Sequence, residues 1–139
     1  LGICKNLLLV HNTFSSKEDI EFAKKLHDEV YWCLCPHANL YIEDKLPDLN
    51  NLLPESSRIV IGTDSLASND SLSIINEINV LLADFNRVKI ADALKWATYN
   101  GAEALGIEDK FGRFLKGKNA GINYLNYRSG ELVFESKIA

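Results

Sequence analysis

The sequence predicts an α/β protein built on a parallel sheet, and three observations carry that prediction. Apolar runs of strand length alternate with segments of helical periodicity along the 139 residues. The first run, Leu7 to Val10, is continuous rather than alternating, which is typical of a parallel strand covered on both faces. Polar side chains that can bind metal or transfer protons follow the ends of the apolar runs. Alternation of strands and helices implies right-handed crossovers, which bring the strand ends to one edge of the sheet.

Each predicted strand ends at a recognisable residue. The first run ends at His11, and the second, at 30–35, is stopped by Pro36. The third run, at 58–62, ends just before Asp64. The stretch at 39–57 is interrupted by prolines, and we expect an irregular crossover there with a short helix near 49–53.

The first helix is predicted from a capping pattern. Ser15 and Glu18 have the spacing of a capping box, so a helix should follow and run to about Asp28. We expect its inward-facing positions to be Ile20, Ala23 and Leu26.

Two further helices are expected after the third strand, followed by a β hairpin. Asp70 or Ser71 should cap the first of these helices, whose apolar stripe is Ile74, Ile75, Ile78, Leu81 and Leu82. The second should run from Lys89 to Leu105 and stop at Gly106, with Ile90, Leu94, Ala97 and Leu105 facing inward. The segments at 122–127 and 131–135 are β-like, and the Ser-Gly pair at 129–130 is a hairpin turn signal.

Composition narrows the classes of function. The chain is 47% hydrophobic and 24% charged, a balance that favours a packed core over disorder. The net charge of -4 and the scattered basic residues argue against a nucleic-acid partner. No apolar run approaches the roughly 20 residues of a membrane span. The three cysteines are an odd number, which favours a reducing, cytoplasmic setting. The chain starts at Leu1 and contains no methionine, so we expect it to be part of a longer product.

The residues best suited to bind a metal or take part in catalysis follow the ends of the predicted strands. His11 follows the first strand, His37 lies two residues after the second, and Asp64 follows the third. In parallel sheets, reactive groups gather at the carboxyl ends of the strands. Histidine and carboxylate are ordinary ligands of zinc and iron, so we expect His11 and Asp64 to lie close enough to share one metal.

Four motifs resemble the deaminase and chlorohydrolase branch of the amidohydrolase superfamily. Residues 62–69 read Gly-Thr-Asp-Ser-Leu-Ala-Ser-Asn and resemble that branch's GTD-x-x-x-SN signature. Residues 35–40 resemble its CP-x-SNL segment, and residues 97–106 its AT-x-NGA-x-ALG helix. Residues 112–118 resemble the G-x-L-x-x-GK return to a small β domain. The four occur in the family's order with family-like gaps and together cover nearly the whole chain.

The resemblance implies a fold and a domain organisation. Residues 1–110 would be the C-terminal strands and helices of a (β/α)8 metal-dependent hydrolase barrel. Residues 111–139 would supply a β hairpin to a small β-sandwich domain built from both chain ends. The missing N-terminal part of the barrel is then an expected partner, and a homo-oligomer is compatible with this organisation.

The resemblance also implies roles for individual residues. His11 matches a metal-binding histidine after the fifth barrel strand, and Asp64 matches the aspartate after the eighth, which holds metal and accepts a proton from the attacking water. A divalent metal is therefore expected, zinc first and iron second, in a site that is incomplete in this chain. We expect His37, Asn39 and Asn69 to bind substrate; for His37, loop hydrogen bonding is an equal alternative. Thr63 and Ser65 are expected to orient Asp64.

The sequence differs from that branch at three places. Phe14 stands where many deaminases have glutamate, and Leu34 stands where many have histidine. The pair at 119–120 is Asn-Ala where Ala-Asp is usual. Cys33 and Cys35 are most simply buried small side chains, because a metal knuckle formed with His37 lacks a second pair of ligands.

The expected activity is hydrolysis of non-peptide carbon–nitrogen bonds in a small, polar, nitrogen-containing substrate by metal-activated water. The alternative is a non-catalytic or degenerate barrel domain that binds a ligand or supports assembly. A third option, a stand-alone domain resembling a signalling receiver, requires an acidic cluster near the first strand, which the residues at 4–6 do not supply.

Overall fold

A computed structural model of the chain describes residues 5–118 and 121–138. The strands are β1 (Leu7–Val10), β2 (Val30–Leu34), β3 (Ile59–Ile61), β4 (Asn123–Arg128) and β5 (Glu131–Lys137). The helices are α1 (Lys17–Leu26), α2 (Pro36–Glu43), α3 (Leu49–Leu52), α4 (Ile74–Asp84), α5 (Ile90–Lys95) and α6 (Gly101–Leu105). A 3₁₀ turn at Leu53–Arg58 leads into β3, and a π-helical turn at Trp96–Asn100 joins α5 to α6.

The first three strands form one parallel sheet in the order β1-β2-β3. Leu9 of β1 pairs with Trp32, and Cys33 of β2 pairs with Val60 of β3. The predicted α/β class and parallel sheet are therefore confirmed.

The two faces of this sheet differ in how completely they are covered. One face contributes Trp32, Leu34 and Ile59 to the main core, and β2 is buried at every position. Leu8 and Val10 of β1, which point to the other face, are 40% and 47% exposed. The prediction of burial on both faces therefore holds for β2 and is wrong for β1, an edge strand covered on one face only by the residues described.

The N-cap of helix α1 lies one residue later than the sequence predicts. Ser16, not Ser15, is the N-cap: its hydroxyl accepts from the backbone N–H of Asp19, whose carboxylate accepts from the backbone N–H of Ser16 at 2.9 Å. Both serines fit the capping pattern, and only the backbone geometry distinguishes them. Ile20 and Ala23 are buried as predicted, whereas Leu26 is 67% exposed because the helix ends at that residue.

Helix α2 was not predicted, because Pro36 was interpreted as the end of a strand rather than the start of a helix. Proline is well tolerated in the first helical turn, where its missing N–H would have no helical partner. The short helix expected near 49–53 is present as α3.

The later helices differ from prediction in their ends and continuity. Ser73, not Asp70 or Ser71, caps α4, and Ile78 and Leu81 are buried as predicted. The single helix expected at 89–105 is interrupted by the π-helical turn, which turns the inward face and leaves Leu105 68% exposed. Trp96 and Asn100 are buried at the two ends of that turn, and the amide of Asn100 donates to the carbonyl of Ile59 at 2.8 Å.

The predicted β hairpin is present as β4 and β5. Ser129 and Gly130 have φ values of 54° and 93°, as the turn requires. The hairpin docks on α4 through Asn79, whose side-chain amide donates to the carbonyl of Leu132 at 2.9 Å and accepts from its N–H at 2.8 Å. The expected difference at 119–120 lies outside the described residues. None of the helices described is long and apolar enough to cross a membrane.

Candidate metal-binding site at the strand ends

His11 and Asp64 lie at the same edge of the parallel sheet. The ladder continues past the strands: the N–H of His11 donates to the carbonyl of Cys33 at 2.9 Å, and the N–H of Gly62 donates to Leu34 at 2.9 Å. One strand, β2, lies between them, which separates the backbones by about 10 Å at the usual strand spacing. That the two side chains approach closely enough to share one metal stays a prediction.

Both candidate ligands have a left-handed backbone. The φ values are 70° at His11, 59° at Asn12 and 58° at Asp64. Residues other than glycine seldom adopt this conformation, although Asn, Asp and His tolerate it best. The side-chain amide of Asn12 donates to the carbonyl of Leu9 at 2.9 Å and so holds the first of these turns. Such conformations cluster at functional sites, where the surrounding structure maintains them.

Asp64 is held by its own loop. The hydroxyl of Ser68 donates to its Oδ2 at 2.5 Å, and the backbone N–H of Ser65 also donates to it. These hydrogen bonds, with that of Ser68 the largest effect, lower the pKa of Asp64, so the carboxylate is ionised at neutral pH. Sequence reasoning assigned this orienting role to Thr63 and Ser65 and missed Ser68, although Ser68 is the serine of the SN pair in the signature. Thr63 contributes a hydroxyl that donates to the backbone carbonyl of Asp64 at 3.1 Å.

The amide of Asn69 is fully engaged within the protein. Its nitrogen donates to the carbonyl of Thr63 at 2.7 Å and to Oε1 of Glu77 at 2.6 Å. Its oxygen accepts from the N–H of Ser71 at 3.2 Å. The residue is 8% exposed, so it holds the loop in this structure, and the expected substrate contact stays a prediction.

Asn39 is also buried, at 1% exposure. Its side-chain amide donates to the hydroxyl of Thr13, which ties α2 to the segment after β1. Its Oδ1 is buried without a hydrogen-bond partner among the described residues. A substrate contact for Asn39 likewise stays a prediction, since the side chain does not reach the surface.

His37 lies in the first turn of α2 beside a buried glutamate. Its backbone N–H donates to Oε2 of Glu77 at 2.9 Å. Its Nδ1 is 3.2 Å from Oε1 of Glu77 but is not aligned for a hydrogen bond, and its side chain is 31% exposed. His37 lines a cavity of about 510 Å³ together with the loop at 66–70. The sequence contained a signal for Glu77, because its carboxylate falls within the apolar stripe of α4.

Cys33 and Cys35 are buried side by side below this edge, as expected of small core side chains. The hydrogen bond between them lowers the pKa of Cys33 and raises the pKa of Cys35, and burial raises the pKa of Cys35 further. The negative charges of Asp64 and Glu77 also raise the pKa of Cys35, which lies near both. Within 5–118 and 121–138, no three His, Cys, Asp or Glu side chains are grouped to hold a metal ion. A zinc site normally has three or four protein ligands, so the described residues supply at most part of one, and the ligand roles of His11 and Asp64 stay predictions.

A second cavity, of about 680 Å³, lies between β3, the π-helical turn, α6 and the segment at 107–114. None of the predicted site residues lines it. The carboxyl ends of the strands remain the place where the candidate residues meet.

Comparison with known proteins identifies the family. A profile of the amidohydrolase family matches residues 4–137. The chain belongs to the amidohydrolase family. A 5-methylthioadenosine/S-adenosylhomocysteine deaminase of Teredinibacter turnerae is 31% identical over 120 residues, which cover 81% of this chain and 27% of that protein.

Two solved structures of the amidohydrolase family are similar in fold. A zinc-bound adenosine deaminase from Xanthomonas campestris has a TM-score of 0.73 at 29% identity and covers 86% of this chain. The Helicobacter pylori aminofutalosine deaminase in complex with methylthio-coformycin has a TM-score of 0.75 at 29% identity and covers 88%. This chain spans only 29% and 30% of those two chains, so it corresponds to less than a third of such a protein.

The sheet order changes the strand number that the resemblance to a barrel implies for His11. Consecutive strands of a (β/α)8 barrel are neighbours. A single strand lies between β1 and β3, so if Asp64 follows the eighth strand, His11 follows the sixth and not the fifth. The comparison of Phe14 with a family glutamate depended on the fifth-strand count and no longer applies.

Proposed function

We propose that the full-length protein is a metal-dependent, deaminase-like hydrolase of non-peptide carbon–nitrogen bonds. The observation that carries the proposal is the pairing of His11 with Asp64 at one edge of the sheet. Each follows a parallel strand, each has a left-handed backbone, and the pKa of Asp64 is lowered. A lowered pKa keeps the Asp64 carboxylate anionic at neutral pH, as a metal ligand requires. Its additional role as a base is supported by the resemblance to the deaminase branch.

His11 and Asp64 would hold a divalent metal, zinc first and iron as the alternative. When bound, the metal acts as a Lewis acid and makes water a better nucleophile near neutral pH. Asp64 takes up the proton that the attacking water loses. The hydrogen bond from Ser68 to Oδ2 of Asp64 would hold the carboxylate in place for this role. His37, with its partly exposed ring, would contact the substrate, while Asn39 and Asn69 support the surrounding loops.

The proposed substrate is an adenine nucleoside. The relatives carry the names 5-methylthioadenosine/S-adenosylhomocysteine deaminase and adenosine deaminase. Both names describe removal of an amino group from an adenine ring, which agrees with the expected small, polar, nitrogen-containing substrate.

We propose further that residues 1–110 are the C-terminal part of a barrel whose N-terminal part lies elsewhere in the full-length protein. The exposed side chains of Leu8 and Val10 support this, because a closed barrel would cover both faces of β1. Residues 111–139 would belong to a composite β-sandwich. The isolated 139-residue chain would then lack the remaining metal ligands and be inactive.

A non-catalytic role is the second candidate. It is favoured by the two-ligand site within the described residues and by Leu34, which replaces the histidine found before Cys-Pro in many deaminases. In that case the strand-end residues would hold a ligand or an assembly partner without turnover.

The deciding experiment is a turnover assay of the full-length protein with zinc. Adenosine, 5'-methylthioadenosine and S-adenosylhomocysteine are supplied, and ammonia release is measured together with the absorbance change of the purine. We expect turnover that is lost after treatment with a chelator and restored by zinc. Absence of both bound metal and turnover across the panel would favour the non-catalytic role.

A further inference from the structure

Glu77 is a carboxylate inside an apolar helix face. It is fully buried on α4, and its neighbours on that face, Ile78 and Leu81, belong to the main core. A buried carboxylate is unfavourable unless its oxygens are paired. Its hydrogen-bond donors therefore indicate what it does.

The donors to Glu77 come from two separate segments. Oε2 accepts from the backbone N–H of His37 at the start of α2, and Oε1 accepts from the side-chain amide of Asn69 in the loop after β3. The imidazole Nδ1 of His37 lies 3.2 Å from Oε1. One carboxylate thus joins two segments that are 32 residues apart in the chain, from 37 to 69.

A chain of hydrogen bonds leads from Glu77 to Asp64. The nitrogen of Asn69 that donates to Glu77 also donates to the carbonyl of Thr63, the residue before Asp64. Ser68, the neighbour of Asn69, donates to Oδ2 of Asp64. The position of the Asp64 carboxylate therefore depends on a loop that Glu77 holds.

A second set of contacts leads from Glu77 to the cavity. The Nδ1 of His37 is buried toward Glu77, so the exposed part of the ring is its other edge. That ring and the loop at 66–70 line the cavity of about 510 Å³. Glu77 holds both walls of this cavity without lining it.

We propose that Glu77 is a positioning residue that holds the Asp64 loop and the first turn of α2, which carries His37, at a set distance across the cavity. The inference rests on the proposed function for the roles of Asp64 and His37. It adds to the residues of the proposed function one, Glu77, that would touch neither metal nor substrate.

Replacing Glu77 with glutamine tests the requirement for two acceptors. The amide has nearly the same size as the carboxylate, but one of its ends is a donor. Since N–H groups face both oxygens, the new NH₂ must meet either the His37 N–H or the Asn69 amide. We expect Glu77→Gln to lower kcat and raise KM in the full-length enzyme, each within roughly 10- to 100-fold, the range typical of supporting residues around a metal site. Asp84→Asn, at an exposed carboxylate on the same helix, is the matched control and should behave as wild type.

Two single variants separate the link from Glu77 to Asp64 from the link between Glu77 and His37. Asn69→Ala should lower kcat with little change in KM, because it breaks the link to Asp64. His37→Ala should raise KM with little change in kcat. Combining Asn69→Ala with His37→Ala gives a double variant. Adding Glu77→Gln to it should change kcat and KM little further, since the effects of coupled residues are not additive. Full additivity, or a folded Glu77→Gln variant with wild-type kcat and KM, would overturn the proposal. If Glu77→Gln does not fold, the single variants Asn69→Ala and His37→Ala test the proposal. It is overturned if Asn69→Ala does not act mainly on kcat and His37→Ala mainly on KM.

Hydrogen exchange distinguishes failure of this inference from failure of the proposed function. The His37 N–H is bonded directly to Glu77, so Glu77→Gln should speed its exchange by roughly tenfold or more through local opening, whereas Asp84→Asn should not. If wild type turns over no substrate, the proposed function fails, and exchange alone decides whether Glu77 holds the segment. Unchanged exchange at His37 would overturn the positioning role.

Discussion

At the scale of single residues, the strand ends are shaped by side chains that tolerate a left-handed backbone. His11, Asn12 and Asp64 all adopt it, and each belongs to the residue types that accept it most readily. The conformation turns the chain away from the sheet immediately after β1 and soon after β3. It therefore directs polar groups along the edge instead of returning them to the core.

Asp64→Asn is predicted to remove most of the turnover of the full-length enzyme while leaving its fold intact. Asparagine tolerates the same backbone conformation and still accepts the hydrogen bond from Ser68, but it cannot take up a proton. Loss of a general base typically lowers the rate by about 10²- to 10⁴-fold. The measurement is kcat with metal content and melting temperature, and Asp28→Asn, at an exposed helix-end carboxylate, is the control. Wild-type turnover from a folded, metal-loaded Asp64→Asn variant would show that Asp64 is not the base.

Gly62→Ala is predicted to destabilise the protein by about 1–3 kcal/mol through overpacking. A Cβ at this position would lie 3.0 Å from Sγ of Cys33 and 3.4 Å from Sγ of Cys35. Urea denaturation measures the loss in free energy of unfolding. The same change made in a Cys33→Ala background should be nearly neutral, because the closest contact is gone. An equal loss in both backgrounds would point to a backbone cause instead.

At the scale of secondary-structure elements, local hydrogen bonds decide where helices begin. Ser16 and Asp19 satisfy each other's backbone N–H groups at the start of α1, and Pro36 starts α2 where its missing N–H does no harm. The π-helical turn at Trp96–Asn100 makes tertiary hydrogen bonds: Trp96 donates to the hydroxyl of Ser56 and Asn100 to the carbonyl of Ile59.

Ser16→Ala is predicted to lower the free energy of unfolding by about 0.5–2 kcal/mol, the usual effect of losing an N-cap. Ser15→Ala is the matched control and should fall within about 0.5 kcal/mol of wild type. Thermal or urea denaturation of both variants gives the comparison. A larger effect at Ser15 than at Ser16 would restore the cap expected from the sequence.

The effect of Ser16→Ala should also depend on pH. Hydrogen bonds from the side chain and backbone of Ser16 lower the pKa of Asp19 in the folded protein. A carboxyl group whose pKa is depressed by folding stabilises the fold above its unfolded-state pKa and loses that contribution as the pH falls through the folded value. The difference between wild type and Ser16→Ala should therefore be largest at neutral pH and shrink in acid. A difference that grows on acidification would contradict this assignment.

At the scale of the whole molecule, the chain has a core of its own but leaves one face of β1 uncovered by the described residues. The face that packs against the helices is closed, whereas β1 leaves Leu8 and Val10 exposed on the other face. The hairpin is attached to α4 by the two hydrogen bonds between Asn79 and Leu132. The chain spans less than a third of the solved structures that it resembles.

The isolated 139-residue chain is predicted to retain far less than one equivalent of zinc after dialysis. Among the described residues, only His11 and Asp64 are strong ligand candidates, and zinc sites normally need three or four protein ligands. Metal analysis of the isolated chain and of the full-length protein, treated identically, makes the test. Stoichiometric zinc in the isolated chain would reveal further ligands, with His37 and Cys35 the first to examine.

Much of the fold was contained in local sequence patterns. The apolar runs, the Ser-Gly turn and the spacing of Ile78 and Leu81 predicted the parallel sheet, the hairpin and the buried face of α4. These features depend on periodicity and turn chemistry, which act over a few residues. The candidate pair His11 and Asp64 was also predicted, because parallel strands bring their carboxyl ends to one edge whatever lies between them.

Only the tertiary structure decided the features that depend on contacts between residues far apart in the chain. Glu77 meets His37 and Asn69 from distant parts of the chain, and no local pattern predicts that these two donors converge on one buried carboxylate. Burial of Asn39 and exposure of Val10 depend on which elements pack against them, a property of the assembled sheet and helices rather than of either residue.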